Sequence, residues 1–488
     1  MQTCMVSTQI LVFTHGMASF NLDPSPSPFW FAMYKATKLS AIQMAACLGF
    51  FVVQLDVSVV NVGLGALKAA FDTNLTGLQW VINSYALTFS ALLIFGGSCG
   101  DKLGAKPVFV GGFIVFTLSS LGCGLAGSMV QLISFRCVQG LGAALMIPTS
   151  LTLLRLNFTN PEQRKAAVAL WGASGGIALA AGPVLGGLMI EHLGWRSVFL
   201  INIPLGLLAI ALTLRYTPAS PKVEKRIDVY GQVTIALALS LLTYGLTEAS
   251  ERGWSLIPLS VLALSCLVLL AFVLIEQRVA DPMIPIHLAR NTVLIAMMLT
   301  GSVINFTFYG VVFVLSIYFQ TILGYDAVRT GLAFIPLTAV MTLSSLASAR
   351  LGRHFSALRI MTLGTGLQVC GFLILSRISP DSASWMLDSA LIIVGIGSAA
   401  TVPSMNNTML AAVTQQDAGI ASGLMSSARQ VGGVLGVAIF GLLIAHAERP
   451  AFTQGMSTSM LLCVAALALC LVTNLWLVRK VRSSVLAH

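Results

Sequence analysis

The chain has 488 residues, of which 57% are hydrophobic and 9% are charged, and its mean hydropathy is +0.90. A water-soluble domain of this size carries far more charge on its surface, so the composition excludes one. The formal net charge is +10, but no basic stretch is interleaved with aromatic residues, so nucleic acid is not an expected partner.

Apolar stretches recur between residues 41 and 478, and each is long enough to cross a hydrocarbon layer of roughly 30 Å as a helix. They are too long and too uniformly apolar to be the alternating strands of a membrane barrel. The sequence therefore predicts an all-α, polytopic membrane protein with fourteen transmembrane helices. The predicted spans cover residues 41–65, 79–99, 108–127, 130–154, 166–192, 197–216, 229–248, 257–276, 292–321, 327–350, 359–377, 385–410, 421–447 and 456–478.

Positive charge predicts the orientation of these helices. Nineteen of the 27 Lys and Arg residues fall on the side of the two termini and six on the other side. The remaining two, Arg136 and Arg429, lie within spans. Because Lys and Arg concentrate in cytoplasmic loops, both termini are expected in the cytoplasm, with the protein in the plasma (inner) membrane.

Residues 1–40 are expected to form a cytoplasmic tail. They alternate polar and apolar stretches and have no basic start before the weak apolar run at residues 5–13. Such a segment makes a poor signal peptide, and Met33 is an alternative initiator.

Several kinds of site are not expected. The nine Cys residues are scattered, with no CxxC pair and no His at ligand spacing, so neither a metal site nor a disulfide framework is predicted. No GxxxxGK[ST] phosphate-binding loop is present, and no loop exceeds roughly 20 residues. No loop is therefore long enough to hold a nucleotide-hydrolysing domain. No two catalytic-type residues lie together at either face, so an enzyme is not predicted. Active transport would therefore depend on an ion gradient.

Two internal echoes indicate a duplicated architecture. GSCGDKLGAKP at residues 97–107 is echoed by ASARLGRHF at 347–355, and GGIALAAGPVLGG at 175–187 is echoed by QVGGVLGVAIFG at 430–441. Both echoes are eight spans apart, which predicts two six-helix bundles with two helices inserted between them. The predicted domains are a tail (1–40), a first bundle (41–216), the two-helix insert with its linkers (217–291), a second bundle (292–478) and a cytoplasmic tail (479–488).

The motifs on these spans resemble those of the major facilitator superfamily and, within it, the fourteen-span drug:proton antiporters. LDVSVVNVGLG at residues 55–65 is similar to that branch's LDxTIVNVALP, with Gly65 where the branch has Pro. WRSVFLINIPLG at 195–206 and ASGLMSSARQVGGVLG at 421–436 also resemble it. The resemblance runs from about residue 41 to 478 and implies proton-coupled transport without any other cofactor.

Three further motifs carry the resemblance. The loop after the second span matches GxLaDrxGrk at Gly97, Asp101, Gly104 and Lys106, with Ala105 in place of a basic residue. The fourth span matches RxxQGxG at Arg136, Gln139, Gly140 and Gly142. The fifth span matches the antiporter signature GPxxGG at Gly182, Pro183, Gly186 and Gly187.

Asp56 is the candidate proton carrier. It alone among the 17 acidic residues lies deep within a span, where an ionised carboxylate is costly unless it is paired or protonated. Burial favours the neutral, protonated form, and a cationic substrate competing with a proton for one carboxylate gives exchange directly. The alternative is a structural acid paired in the core.

Arg136 is the candidate partner of Asp56. At 1.5 Å per residue, Asp56 lies roughly 14 Å and Arg136 roughly 9 Å from the outer ends of their spans. Arg keeps its proton, so its approach and withdrawal would link proton release to conformation. The alternative is an Arg satisfied by helix carbonyls. Arg429 lies only eight residues from the cytoplasmic start of the thirteenth span. Its side chain is therefore expected to snorkel to the cytoplasmic interface.

The resemblance assigns gating to the loop motif and sealing to the fifth span. Asp101 would pair with a charge on the neighbouring bundle and hold the outward-open state, although Lys102 and Lys106 suit plain topology anchors equally. The glycines of the fifth span offer a surface on which another helix can approach closely, and Pro183 bends that helix. In this family such a helix seals the interface between the halves against proton leak.

Candidate cavity residues are aromatic and amide side chains near mid-membrane, which suit flat, lipophilic cations. They are Asn61, Tyr85, Gln139, Asn305, Tyr309, Tyr318, Gln320 and Asn406. Trp80 is a further candidate, although its place near a span end also suits an interfacial aromatic belt.

The sequence thus predicts a proton-coupled exporter of amphipathic, cationic drugs and toxic compounds that works by alternating access. The alternative is a dedicated exporter of a metabolite or antibiotic, and a non-transporting sensor or scaffold lacks the expected soluble output domain. The expected partners are small amphipathic molecules and the lipid bilayer. A monomer is expected, with a periplasmic adaptor protein as an alternative.

Overall fold

The computed structural model describes residues 28–222, 228–279, 282, 284–341, 355–414, 417–445 and 449–486. All regular elements in these ranges are helical, and thirteen helices there are long and apolar enough to cross a membrane. The prediction of an all-α, polytopic membrane protein is confirmed. The tenth predicted span, 327–350, continues into residues outside the described ranges.

The first eight helices correspond to the first six predicted spans. They are α1 (Pro28–Val62), α2 (Leu64–Phe71), α3 (Leu75–Leu103), α4 (Ala105–Leu125), α5 (Met129–Asn157), α6 (Pro161–Leu193), α7 (Ser197–Leu200) and α8 (Asn202–Tyr216). The first span is interrupted at Gly63 and the sixth at Ile201. Pro204 follows the second interruption and suits the first turn of α8, where no N–H partner is required.

The remaining helices cover the insert and the second set of spans. They are α9 (Val229–Arg252), α10 (Leu256–Glu276), α11 (Ile286–Ala289), α12 (Thr292–Ile317), α13 (Ala327–Ala333), α14 (Ala357–Leu375), α15 (Ser384–Ala411), α16 (Ala418–Leu443) and α17 (Arg449–Leu486). A π-helical turn, Tyr318–Ile322, extends α12.

Polar side chains begin several of these helices. Ser128 accepts a hydrogen bond from the N–H of Gln131, Asn160 from Glu162, and Asn291 from Val293. Such caps satisfy N–H groups that have no partner within the helix. Short polar loops between apolar runs therefore fix where α5, α6 and α12 start.

The helices pack in two groups with a hairpin beside them. In the N-terminal half (α1–α8), α5 packs against α3 and α4; in the C-terminal half (α12–α17), α12 packs against α16 and α14 against α15. The hairpin α9–α10 contacts both halves through α9, which touches α3 and α16. Its outer helix α10 exposes Leu267 and Leu270, as expected of a helix that faces lipid.

From residue 41 onward, the described residues form one compact unit. Helix α1 begins at Pro28, so helical structure extends into the segment predicted as a tail. The predicted domain boundaries at 216, 291 and 478 stay predictions.

Candidate functional site

Asp56 of α1 and Arg136 of α5 form an ion pair in the interior of the N-terminal half. Arg136 Nη1 donates to Asp56 Oδ2 at 2.5 Å, and the exposed fractions of the two side chains are 1% and 0%. The structure thus brings together the two residues for which the sequence predicts pairing. Removal of one partner would leave the other as a buried, uncompensated charge, which costs several kcal/mol.

Two amides complete the surroundings of the carboxylate. Gln139 Nε2 donates to Asp56 Oδ1 at 2.9 Å, and Asn202 Nδ2 donates to the same oxygen at 3.0 Å. Gln139 Oε1 also accepts from Arg136 Nη1 at 2.7 Å. Ser120 Oγ accepts from both amides, at 2.7 and 2.9 Å. Both oxygens of Asp56 are therefore engaged, by side chains from α5 and α8.

Arg136 reaches beyond this network to a cavity between the halves. Its guanidinium carbon lies 4.2 Å from the centre of the Tyr85 ring, within range of a cation–π interaction. Arg136 and Tyr85 line one wall of a narrow cavity, and Tyr309 and Gln430 line the opposite wall. Asp56 is not among the lining residues, so Arg136 is the member of the ion pair that faces the cavity.

A second cavity adjoins the first, between α1, α6 and α12. Its lining includes Asn61, Pro183, Tyr309 and Phe334. Asn61 Nδ2 donates to the carbonyl of Val57 at 2.8 Å, while its Oδ1 has no hydrogen-bond partner among the described residues. Tyr309 lines both cavities, so α12 supplies the C-terminal half's main aromatic contact there.

Arg429 lies near the middle of α16 and is directed toward α12. Its Nε donates to Asn305 Oδ1 at 3.3 Å. From the start of the span at Ile420 the distance to Arg429 is roughly 14 Å, close to the centre of the hydrocarbon layer. The expectation that Arg429 snorkels to the interface is wrong, because its side chain turns to an amide on the neighbouring helix.

The other predicted cavity residues lie elsewhere. The Tyr318 ring packs against Phe452, with ring centres 6.4 Å apart. Asn406 is partly exposed on α15, and Trp80 packs against Tyr244 of the hairpin at 6.1 Å. None of these residues lines the two cavities.

Gln320 joins the halves at the end of the molecule predicted to be external. The N–H of Gly65 donates to Gln320 Oε1 at 2.8 Å, and Gln320 Nε2 donates to the carbonyl of Val62 at 3.1 Å. At the same end, Gln79 Nε2 donates to the carbonyl of Val437 at 3.3 Å. We call these interactions the external amide contacts; each runs from a Gln side chain of one half to the backbone of the other.

The GPxxGG motif lies on α6 between α1 and α13. A Cβ on Gly186 would lie 3.0 Å from Val59 Cγ1, and one on Gly187 would lie 2.6 Å from the carbonyl oxygen of Ala327. Larger residues would therefore separate α6 from both neighbours. The four motif residues, Gly182, Pro183, Gly186 and Gly187, are buried.

The predicted gating turn joins α3 to α4. Gly104 has φ +97°, which glycine adopts without strain. Lys106 Nζ donates to the carbonyl of Thr217 at 2.6 Å, so this lysine binds the end of α8 within its own half. Gly97 packs near Pro148, and Asp101 lies in the last turn of α3. The basic residues of the corresponding loop lie outside the described residues, so pairing of Asp101 across the halves stays a prediction.

Sequence reasoning missed Asn202 and Ser120. Asn202 lies in WRSVFLINIPLG, where an amide in an otherwise apolar span is a weak signal that was available. Ser120 sits in LSSLG, where no feature of the pattern distinguishes it from other small polar residues that pack between helices.

Comparison with known proteins adds independent findings. The model of the Major Facilitator Superfamily matches residues 46–437. The cephamycin export protein CmcT of Amycolatopsis lactamdurans is 37% identical over 418 residues, which cover 83% of this chain and 85% of that protein. The multidrug resistance protein Stp of Mycobacterium tuberculosis is 33% identical over 405 residues, with coverage of 82% and 75%.

The fold also matches solved structures. A bacterial homologue of the human lysosomal transporter Spinster, in an inward-facing and unoccupied conformation, superposes with a TM-score of 0.64 at 16% identity. The superposition covers 92% of this chain and 97% of that one. At this identity the match shows the fold alone.

Proposed function

Because the chain belongs to the major facilitator superfamily, we propose that it is a proton-coupled secondary active exporter of amphipathic compounds, working by alternating access in the plasma (inner) membrane. The family and the relatives named above are transporters, so the chain is a transporter and not an enzyme. One of those relatives is named for export and the other for multidrug resistance, which supports the outward direction.

The buried Asp56–Arg136 pair carries the proposal of proton coupling. Ionisable residues inside a membrane bundle are costly, and proton relays are among their principal uses. A proton on Asp56 removes the charge that holds Arg136, and loss of that proton restores it. Since Arg136 also lines the cavity, protonation of a hidden carboxylate changes the wall that the transported molecule contacts.

Exchange then works through Arg136. Direct competition of a cationic substrate for Asp56, as expected from the sequence, requires Arg136 to leave first, because both carboxylate oxygens are engaged. A guanidinium that turns into the narrow cavity takes up space that the transported molecule needs. Proton and substrate would then exclude each other, which is the condition for antiport. The rings of Tyr85 and Tyr309 supply flat surfaces for apolar parts of the substrate.

The external amide contacts lie at the interface where the two halves would separate during transport. Their hydrogen bonds join the halves at the external end, and opening toward the outside breaks these bonds. The distribution of Lys and Arg supports cytoplasmic termini. We propose a monomer, since both cavities lie within one chain; assembly with a periplasmic adaptor is the alternative.

A dedicated exporter of one metabolite or antibiotic is the second candidate. The cephamycin export protein, 37% identical to this chain, favours it. Growth inhibition across dyes, biguanides and quaternary amines separates the two, because broad protection indicates multidrug efflux and protection against a single compound indicates a dedicated exporter.

The Asp56→Asn variant tests the proposal. The amide keeps the shape of the side chain but cannot ionise, so ethidium uptake into inside-out vesicles should no longer respond to an imposed proton gradient. Asp388→Asn, in the first turns of α15, is the matched control and should respond as the wild type does. Gradient-driven uptake that persists unchanged in Asp56→Asn would falsify the role of this carboxylate.

A further inference from the structure

Arg429 is a charged side chain whose position the proposed exchange does not explain. It lies at mid-membrane and is partly exposed, and its described hydrogen bond is to a neutral amide, Asn305 Oδ1, at 3.3 Å. Among the described residues no carboxylate lies within ion-pair distance of it. An arginine keeps its proton, so this positive charge is permanent.

The chain has no acid to pair with Arg429 at that depth. Of its 17 acidic residues, Asp56 alone lies deep within a span, and Arg136 occupies it. Arg136 shows how a buried arginine is satisfied in this protein, with one carboxylate, one amide and the carbonyl of Val81 at 3.0 Å. Arg429 has one amide contact among the described residues, so within that part of the chain its charge has no counter-ion.

The position of Arg429 links it to the central cavity. Asn305, its partner, precedes Tyr309 by one turn of α12, and Tyr309 lines the cavity opposite Arg136. Gln430, the residue after Arg429, lines the same wall. Arg429 is not itself among the lining residues, but it lies close enough to Tyr309 to interact with it electrostatically. Because the Asp56–Arg136 pair is neutral overall, Arg429 adds one uncompensated positive charge beside the cavity.

We propose that Arg429 binds a carboxylate of the exported molecule, so that the substrate of this transporter is an amphipathic acid. The inference rests on the proposed export function and specifies its substrate class. The guanidinium fork matches a carboxylate geometrically, Asn305 orients the fork, and Tyr85 and Tyr309 contact the apolar body. A simple cation in the same cavity would form no such pair and would be disfavoured by the uncompensated charge of Arg429.

Fluorescein and its methyl ester form a matched pair of probes, because they share one ring system and differ in the carboxylate. Binding of each to the purified full-length protein in lipid nanodiscs is measured by fluorescence polarisation. The wild type should bind fluorescein at least about tenfold more tightly than the ester, as a charge-assisted hydrogen-bonded pair requires. Arg429→Gln should abolish this preference, Arg429→Lys should retain part of it, and Arg377→Gln, at an exposed position of the same half, should leave it unchanged.

Equal binding of the two probes by the wild type overturns the inference, as does an undiminished preference in Arg429→Gln. If Arg429→Gln does not fold, the wild-type preference and its reduction in Arg429→Lys decide the question. Uptake into inside-out vesicles separates this result from the proposed function. If the wild type prefers fluorescein but an imposed proton gradient drives uptake of neither fluorescein nor ethidium, the acid site is supported and proton coupling is rejected. If the gradient drives ethidium uptake but the preference for fluorescein is absent, the acid site alone is rejected.

Discussion

Replacement of Gly65 by proline tests whether the external amide contacts hold the two halves together. The N–H of Gly65 donates to Gln320 Oε1 at 2.8 Å, and proline has no N–H to donate. Gly65 is the second residue of α2, where proline is compatible with the helix. The substitution therefore removes one contact between the halves while the helix that carries it persists.

The size of the effect follows from the number of hydrogen bonds. One bond contributes about 0.5–1.5 kcal/mol, so Gly65→Pro should shift the population toward the outward-open state between about twofold and tenfold. Gln320→Ala removes the bonds to Gly65 and to Val62 and should shift it roughly 5- to 150-fold. These values are net differences in free energy between the closed and the outward-open state, because Gln320 forms hydrogen bonds with water once the external end has opened.

Spin labels at Ala69 and Arg329, both exposed near the predicted external end, report the opening as a second, longer distance in a variant without native cysteines. Gly65→Ala is the control that adds a Cβ against Gln320 but keeps the N–H. The reasoning is refuted if both Gly65→Pro and Gln320→Ala leave the distances unchanged. If Gly65→Ala shifts them as much as Gly65→Pro, packing and not hydrogen bonding controls the contact.

Two further substitutions test the buried network and the α6 interface. Asn202→Leu removes one hydrogen-bond donor to the buried Asp56 carboxylate and should destabilise the protein by about 1–3 kcal/mol, measured as a lower thermal midpoint; an unchanged midpoint contradicts this. Gly331→Ala places a Cβ against the carbonyl of Pro183 and should destabilise the protein by about 1–3 kcal/mol through overpacking. Gly172→Ala, where the Cβ meets open space, should not lower the thermal midpoint, and equal effects of the two alanines would contradict the assignment.

Much of the fold could be predicted because the bilayer restricts the alternatives. Uniform apolar runs located the spans, and the thirteen candidate helices correspond to them since lipid admits only structures with satisfied backbone groups. The interruptions could not be predicted, because tertiary contacts fix them. Asn202 begins α8 where its amide reaches Asp56, and the π-helical turn carries Gln320 toward α1; no local pattern marks either.

The parts of the site that depend on depth in the membrane could be predicted from the sequence. Because each helical residue adds 1.5 Å along the axis, the positions of Asp56 and Arg136 in their spans predict similar depths and hence a contact. Depth does not determine which face of a helix meets the cavity, so Tyr318 and Gln320 were grouped with residues from which the structure separates them. For Arg429 the prediction failed because depth does not give the direction of a side chain, and this one turns to Asn305 of α12.

The charge of the substrate has a consequence that can be measured without knowing the compound. Exchange of one proton for one monovalent cation moves no net charge, whereas entry of one proton with exit of one carboxylate moves two charges in the favoured direction. Each charge contributes about 2.3 kcal/mol per 100 mV, so a membrane potential alone should drive export of an acid at clamped pH. If Arg429 binds a carboxylate, fluorescein transport in proteoliposomes should accelerate when a potassium gradient with valinomycin imposes an inside-negative potential, and ethidium transport should not. Potential-independent fluorescein transport would mean that the extra positive charge of the cavity is balanced by something other than the exported acid.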